Sequence, residues 1–364
     1  MKKILVLLLV AAVFACSKKP EGFRIDVKLT GAEGKILLEK RGSGEWIPVD
    51  TADVVEGVAV LEGKVDNPSE LYLSVLGSRA KAILFVENAK MTVTGNADSL
   101  DKMVVTGSLT HNEYDALNKE INAVAEKYMA MYKESRDAIA AGDTAKGRQI
   151  MEEVEKMYES TNTMREDFIK NHPASYVSPF LLSQIQYGKE AEELEVLVGA
   201  LDPKLDSIET VLKLKEQIAK LKTVSVGQIA PDFTQNDVNG NPVSFSSVYS
   251  QNKLTLLDFW AAWCGPCRAE NPNVVAVYNE FNTKGFTVFG VSLDRTKEDW
   301  MKAIADDKLT WTHVSDLAYW QNAAAQTYAI QSIPSSLLVD QTGKIIAKNK
   351  RGDELRAFVA DYLK

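Results

Sequence analysis

The fold of the C-terminal part is decided by one stretch, KLTLLDFWAAWCGPCRAENP, residues 253–272. Its first half, through Trp260, is almost wholly apolar and predicts a buried β-strand. A helix is expected from its second half, because Pro266 fits the first turn of a helix, where its missing N–H would have no partner. Cys264 and Cys267 stand where strand gives way to helix, three residues apart on one helical face. Such a pair can bind a metal, lock a loop or exchange electrons.

Strand and helix patterns alternate on both sides of this stretch. Apolar strands among amphipathic helices predict a sheet covered on both faces, hence an α/β domain over 224–364. The predicted strands are 253–260, 286–293, 335–340 and 344–349, and the predicted helices are 265–282, 297–306, 319–328 and 353–363.

The residues before this domain show two other sequence patterns. Over 23–110, short apolar bursts such as FRIDVKL (23–29) alternate with period two and lie between Gly, Asn and Asp, which predicts a small all-β domain, an antiparallel sandwich or barrel. Over 111–222, apolar residues recur at helical spacing, as in Leu117, Ile121 and Val124. A helix end at Gly142 followed by a cap at Asp143 divides the first two helices. The chain is therefore expected to be multidomain.

The pattern of the first residues predicts a targeting signal. After MKK, twelve apolar residues run from Ile4 to Ala15, too few for the about 20 that span a bilayer but suited to a signal peptide. The run ends in VFAC, which resembles a bacterial lipobox except for Val13, where Leu is usual. The resemblance implies that 1–16 is a lipoprotein signal whose Cys16 is lipidated, and that 17–22 is a tether. The alternative is an ordinary signal with Cys16 as a passenger.

The chemistry of the pair follows from its place. A thiolate at a helix N-terminus is favoured by the helix dipole, and C-x-x-C pairs of this type reach a pKa of about 7. Cys264 is then a nucleophile at neutral pH, and Cys267 can attack the mixed disulfide that Cys264 forms.

Two carboxylates are candidates for moving the proton. Asp258 interrupts an apolar strand, and burial raises the pKa of such a group. Near a thiol it suits the role of general base. Glu270 lies three residues after Cys267 on the same helical face. The alternative for Asp258 is a structural carboxylate whose hydrogen bonds are satisfied. The alternative for Glu270 is a solvated surface residue.

The segment LDFWAAWCGPC resembles the thioredoxin active site. The surrounding GQIAPDFTQNDVNGNPVSFSSV and CRAENP are similar to the TlpA/ResA branch of membrane-associated thioredoxin-like proteins, in the redoxin (AhpC/TSA) superfamily. The resemblance covers 224–364 and implies a thioredoxin fold, a proton-transfer role for Glu270, and a cis bond at Ile333-Pro334 in SIPSSLLVD. It also implies that substrate contacts Trp263, Gly265, Pro266, Ile333 and Pro334. Fragments such as LFVENAKMTVTG resemble an uncharacterised β-rich domain found ahead of such modules.

The function implied is a membrane-anchored periplasmic thiol:disulfide oxidoreductase that reduces protein disulfides through Cys264 and Cys267. Its expected partners are disulfide-containing envelope proteins and a membrane thiol carrier as electron donor, with no cofactor. Because no acidic run follows Cys16, lipoprotein sorting rules suggest an outer-membrane anchor facing the periplasm.

Several alternatives remain beside it. Zinc needs four N or S ligands, and His111, His172 and His313 have no ligand spacing, so no metal site is expected. A peroxiredoxin-type peroxidase would have Thr or Ser three residues before its cysteine, where this chain has Ala261. The third alternative is an anchored lipoprotein that binds a partner and in which the redox pair is accessory. The net charge of −8, without a basic stripe, argues against a nucleic-acid partner.

Overall fold

A computed structural model describes residues 20–42 and 44–364 of the chain. The predicted signal segment 1–16, with Cys16, lies outside the described residues. The chain divides into two units. One contains the described residues up to Phe168 together with Ser175–Phe180, and the other contains Ile169–Ala174 and Leu181–Lys364. None of the helices in the described residues is long and apolar enough to cross a membrane.

The N-terminal strands form two four-stranded sheets, with orders β4-β1-β7-β8 and β3-β2-β5-β6. Alternating residues of both sheets, including Ile25, Leu38, Leu61 and Leu84, are fully buried in one core. The all-β prediction is confirmed. The expectation of a wholly antiparallel arrangement is wrong, because β1 and β7 pair in parallel. The strands are β1 (Phe23–Thr30), β2 (Lys35–Arg41), β3 (Trp46–Asp53), β4 (Ala59–Gly63), β5 (Ser69–Val75), β6 (Ala82–Val86), β7 (Lys90–Asn96) and β8 (Val104–Thr106).

Five helices follow, and the helical middle segment is confirmed. The first two form an antiparallel pair, with Tyr128 against Tyr158 and the Ser135 hydroxyl donating to the Gly147 carbonyl. Gly142 takes a left-handed φ of 89° between them, which its lack of a Cβ permits. The helices are α1 (Leu109–Ala140), α2 (Thr144–Asn171), α3 (Val177–Ile185), α4 (Ala191–Gly199) and α5 (Glu209–Thr223).

The C-terminal domain contains a mixed seven-stranded sheet in the order β10-β9-β13-β12-β11-β14-β15. Strand β11 is interior, parallel to β12 and antiparallel to β14. All of its residues except Asp258 are buried, as its apolar sequence requires. The strands are β9 (Thr234–Asp237), β10 (Pro242–Ser244), β11 (Leu254–Trp260), β12 (Phe286–Ser292), β13 (Thr312–Ser315), β14 (Ser335–Asp340) and β15 (Ile345–Lys348), and the helices are α6 (Phe245–Tyr249), α7 (Gly265–Phe281), α8 (Lys297–Asp306), α9 (Ala323–Thr327) and α10 (Gly352–Tyr362).

One predicted helix is shorter than expected. Over 319–328 the chain makes a single 3-10 turn at Tyr319–Gln321, and α9 begins only after it. Leu317 and Tyr319 both have positive φ, which no α-helix accommodates. The side chain of Asn322 then caps α9 by accepting from the Ala325 N–H.

Candidate functional site

Cys264 and Cys267 are joined as a disulfide at the start of α7, with their Cα atoms 5.3 Å apart. Cys264 is the N-cap residue, and its Sγ accepts a hydrogen bond from the Cys267 N–H at 3.2 Å. Cys264 is 4% exposed and Cys267 2% exposed. The strand-to-helix junction therefore directs a helix N-terminus at the sulfur of Cys264, which favours its thiolate in the reduced form.

Asp258 is partly buried on β11, opposite Gly290 of β12 and Ser336 of β14. Burial raises the pKa of Asp258 to about 7; the positive charge of Arg351 lowers it and the negative charge of Glu270 raises it. A carboxyl group with a pKa near neutrality can both accept and donate a proton under physiological conditions. Its role as a general base stays a prediction.

Glu270, on α7, is held at both carboxylate oxygens. Its Oε1 accepts from the Gly352 N–H at 2.7 Å, and its Oε2 accepts from Asn273 Nδ2 at 3.0 Å. Its negative charge acts on Asp258. These contacts fix Glu270 against the first residue of α10. Its proton-transfer role also stays a prediction.

Arg351 belongs to this cluster, although from sequence it reads as a solvated surface cation. It precedes α10 directly, and its guanidinium donates to the carbonyl of Pro334. Its charge lowers the pKa of Asp258. Sequence carries no signal for this role, because Arg351 and Pro334 come from different elements.

Asp294 is a further residue of the site that sequence reasoning missed. It is 1% exposed, and both of its carboxylate oxygens accept from the Ala262 N–H at 3.1 Å. The Ser292 hydroxyl donates to it at 2.7 Å, and burial raises its pKa. Asp294 thus fixes the turn that leads into Cys264. The signal that could have revealed it is a carboxylate two residues after the end of the apolar strand β12.

The five predicted substrate contacts lie in two segments. Trp263 is 46% exposed, and Gly265 and Pro266 are exposed, around the nearly buried Cys264. Ile333 and Pro334 are partly buried, and the bond between them is cis, as the resemblance implies. The contact of these residues with substrate stays a prediction.

Comparison with known proteins agrees with this geometry. Residues 226–348 match the model of the AhpC/TSA family, and residues 23–114 match a domain of unknown function, DUF4369. The C-terminal domain belongs to the AhpC/TSA family. It has a thioredoxin fold, and the β-rich region before it is a separate DUF4369 domain.

Curated relatives of the AhpC/TSA domain are named as oxidoreductases. The thiol-disulfide oxidoreductase ResA of Bacillus cereus is 26% identical over 146 residues, which cover 40% of this chain and 81% of that protein. The ResA of Oceanobacillus iheyensis is 31% identical over 128 residues, 34% of this chain and 64% of that protein.

A solved thioredoxin domain of a thiol-disulfide oxidoreductase from Bacteroides vulgatus is 41% identical; the match covers 38% of this chain and 99% of that one, with a TM-score of 0.36. The curated ResA relatives and the joined cysteine pair identify the AhpC/TSA domain as a thiol-disulfide oxidoreductase domain.

Proposed function

We propose that this chain is a membrane-anchored envelope enzyme that reduces disulfides of exported proteins by dithiol exchange. The observation that carries the proposal is the Cys264–Cys267 pair at the N-terminus of α7, directly after the strand that carries Asp258, whose pKa is raised to about 7. The strand and helix supply a nucleophile, a second thiol and a proton acceptor.

In the first step, the reduced Cys264 thiolate attacks one sulfur of the substrate disulfide. A bond forms between Cys264 Sγ and that sulfur, the substrate S–S bond breaks, and the other substrate sulfur leaves as a thiolate that takes a proton. The helix N-terminus stabilises the attacking thiolate, and the Cys267 N–H donates to the same sulfur.

In the second step, Cys267 loses its proton to the Asp258 carboxylate and attacks Cys264 Sγ. The mixed disulfide breaks, the second substrate sulfur leaves as a thiolate, and the enzyme is left as the Cys264–Cys267 disulfide. The substrate has gained two electrons and the enzyme has lost two. Glu270, held by Gly352 at 2.7 Å, adds negative charge near Asp258 and assists its exchange of protons.

The direction of electron flow is proposed to be reductive. The residues between the cysteines are Gly265 and Pro266, as in thioredoxin, whose potential is about −270 mV. A membrane thiol carrier would return electrons to the oxidised pair. Equilibration with glutathione buffers measures the reduction potential of the pair. A value near that of DsbA, about −120 mV, would mean that the enzyme oxidises its substrates instead.

The anchor is proposed to be a lipid on Cys16 that holds the enzyme in the outer membrane, facing the periplasm. The supporting observation is the VFAC sequence at the end of a signal-like apolar run. Globomycin treatment should accumulate a larger, uncleaved precursor, and Cys16→Ser should abolish incorporation of a labelled fatty acid. Labelling of Cys16→Ser equal to that of the wild type would refute the proposed lipid anchor.

Insulin reduction tests the chemistry. Cys264→Ser should abolish the reaction, because the thiol that attacks the substrate disulfide is lost. Cys267→Ser should accumulate mixed disulfides with its substrates, because the second step is blocked. Cys16→Ser is the matched control, since it removes a cysteine outside the pair and should leave reduction intact. Full insulin reduction by Cys264→Ser would refute the proposed function. Protein adducts trapped in cells by Cys267→Ser would identify the physiological substrates.

A further inference from the structure

Three aromatic rings lie together beside the redox pair. Their ring centroids are 5.1 Å apart for Trp263 and Tyr319, and 5.9 Å apart for Trp320 with each of the other two. These distances are typical of favourable contacts between aromatic rings. Trp263, which directly precedes Cys264, is 46% exposed, and the other two are partly buried. We call Trp263, Tyr319 and Trp320 the aromatic patch.

Two of the rings are held in position by contacts with neighbouring residues. Trp263 Nε1 donates to the Leu293 carbonyl at 3.2 Å, which sets the orientation of the indole. The guanidinium of Arg295 lies 4.0 Å from the centroid of the Tyr319 ring, a cation–π distance. A surface with rings already in place loses little side-chain entropy when it binds a partner.

The backbone that carries the patch is held in an unfavourable conformation. Leu317 and Tyr319 have φ of 58° and 57°, a region that side-chain-bearing residues rarely adopt. The Asp316 carboxylate stabilises this loop by accepting from Asn322 Nδ2 and from the Ala323 N–H, each at 2.8 Å. Strain of this kind concentrates at functional sites. This loop conformation places Tyr319 and Trp320 against Trp263.

We propose that the aromatic patch binds a large apolar side chain on an unfolded segment of the substrate, next to the cysteine that Cys264 attacks. This inference rests on the proposed function and names its substrate class. The patch is continuous with the redox site through Trp263, so a substrate sulfur bonded to Cys264 brings its flanking residues over these rings. Cys264 is only 4% exposed, so a disulfide reaches it on an extended segment. Unfolded segments also expose the apolar side chains that folded proteins bury.

The test compares two unstructured peptide disulfides, one with Phe and one with Ser on both sides of each cysteine. Reduced full-length protein is mixed with each peptide, and the single-turnover rate is followed by tryptophan fluorescence. The wild type should react about tenfold faster with the Phe peptide, because a buried aromatic ring loses contact with water. In Tyr319→Gly and in Trp320→Ala this ratio should fall towards one. Because it is a ratio of rates, changes in the reactivity of Cys264 cancel.

Two controls make the result decisive. Glycine accepts the positive φ without strain, so Tyr319→Gly removes the ring without disturbing the fold. A thermal melt of each variant verifies that it is folded. Tyr362→Ala removes another exposed tyrosine, 44% exposed on α10, and should leave the ratio unchanged.

Equal rates for the two peptides in the wild type, or an unchanged ratio in both patch variants, would overturn the inference. A dimer of the wild type that Trp320→Ala dissociates would also overturn it, because a second copy would then occupy the patch. Failure of the reduced wild type to reduce even a strongly oxidising small disulfide, 5,5′-dithiobis(2-nitrobenzoate), would instead refute the proposed function.

Discussion

Asp258→Asn should make the protein more stable in neutral and basic solution while slowing its chemistry. The ordinary pKa of the carboxyl is 3.8, and burial raises the pKa of Asp258 to about 7 in the folded protein. The unfolded chain therefore ionises at lower pH than the folded one. Stability that is fully present below pH 3.8 is lost progressively as pH rises to about 7. Asn resembles the neutral acid and does not suffer this loss.

The size of the effect follows from the shift. It is about three pKa units, and each unit corresponds to about 1.4 kcal/mol, so the predicted gain is about 4 kcal/mol above pH 7. Below pH 4 the variant and the wild type should have nearly equal free energies of unfolding. Between these limits the difference should grow steadily with pH.

Urea unfolding of the oxidised proteins, followed by tryptophan fluorescence, measures this difference. Five of the six tryptophans lie at or beyond Trp260, so the signal reports mainly on the AhpC/TSA domain. Unfolding is measured at pH 4 and pH 8 for both proteins, and insulin reduction is measured at pH 8. A stability difference that does not change with pH would refute the buried-carboxyl reasoning. A rate equal to the wild type would refute the role of Asp258 in proton transfer.

Two further changes test other parts of the site. Arg351→Met should raise the pKa of Asp258, because a nearby positive charge is lost; the midpoint of the pH–rate profile between pH 5 and pH 9 should move up, and Arg351→Lys should move it back. An unmoved midpoint would show that Arg351 does not act on Asp258. Gly290→Ala should lower the free energy of unfolding by about 1–3 kcal/mol, because the added Cβ would lie 2.4 Å from His313 Nδ1 in a packed core. In the control Gly199→Ala the added Cβ meets no atom within 4 Å, so urea unfolding should detect no loss; equal stability of the two variants would contradict the packing argument.

Local signals in the sequence were sufficient to predict the fold class and the reactive pair. The strand before Cys264, the helix after it and Pro266 in its first turn are all set by residues close together in the chain. Asp258 could be found because a carboxylate among apolar residues is conspicuous. The raised pKa that burial gives it in the structure agrees with that expectation.

Features that depend on long-range contacts could not be predicted in this way. The alternation of β1 shows which face is buried, but it does not specify that β7 lies beside it in parallel. Arg351 reads as a surface cation until α10 brings it to the carbonyl of Pro334. The spacing of apolar residues over 319–328 resembles that of a helix. Only the positive φ of Leu317 and Tyr319 shows why the helix starts later.

The start of α10 has a consequence for how the enzyme tolerates change. Two consecutive residues connect to different parts of the site, since Arg351 donates to Pro334 and Gly352 donates to Glu270. Truncating the protein before this point would remove the eleven residues of α10. The carbonyl of Pro334 and the carboxylate of Glu270 would then each lose a hydrogen bond. The last helix is therefore an unsuitable place for trimming or for fusing a tag through a rigid junction.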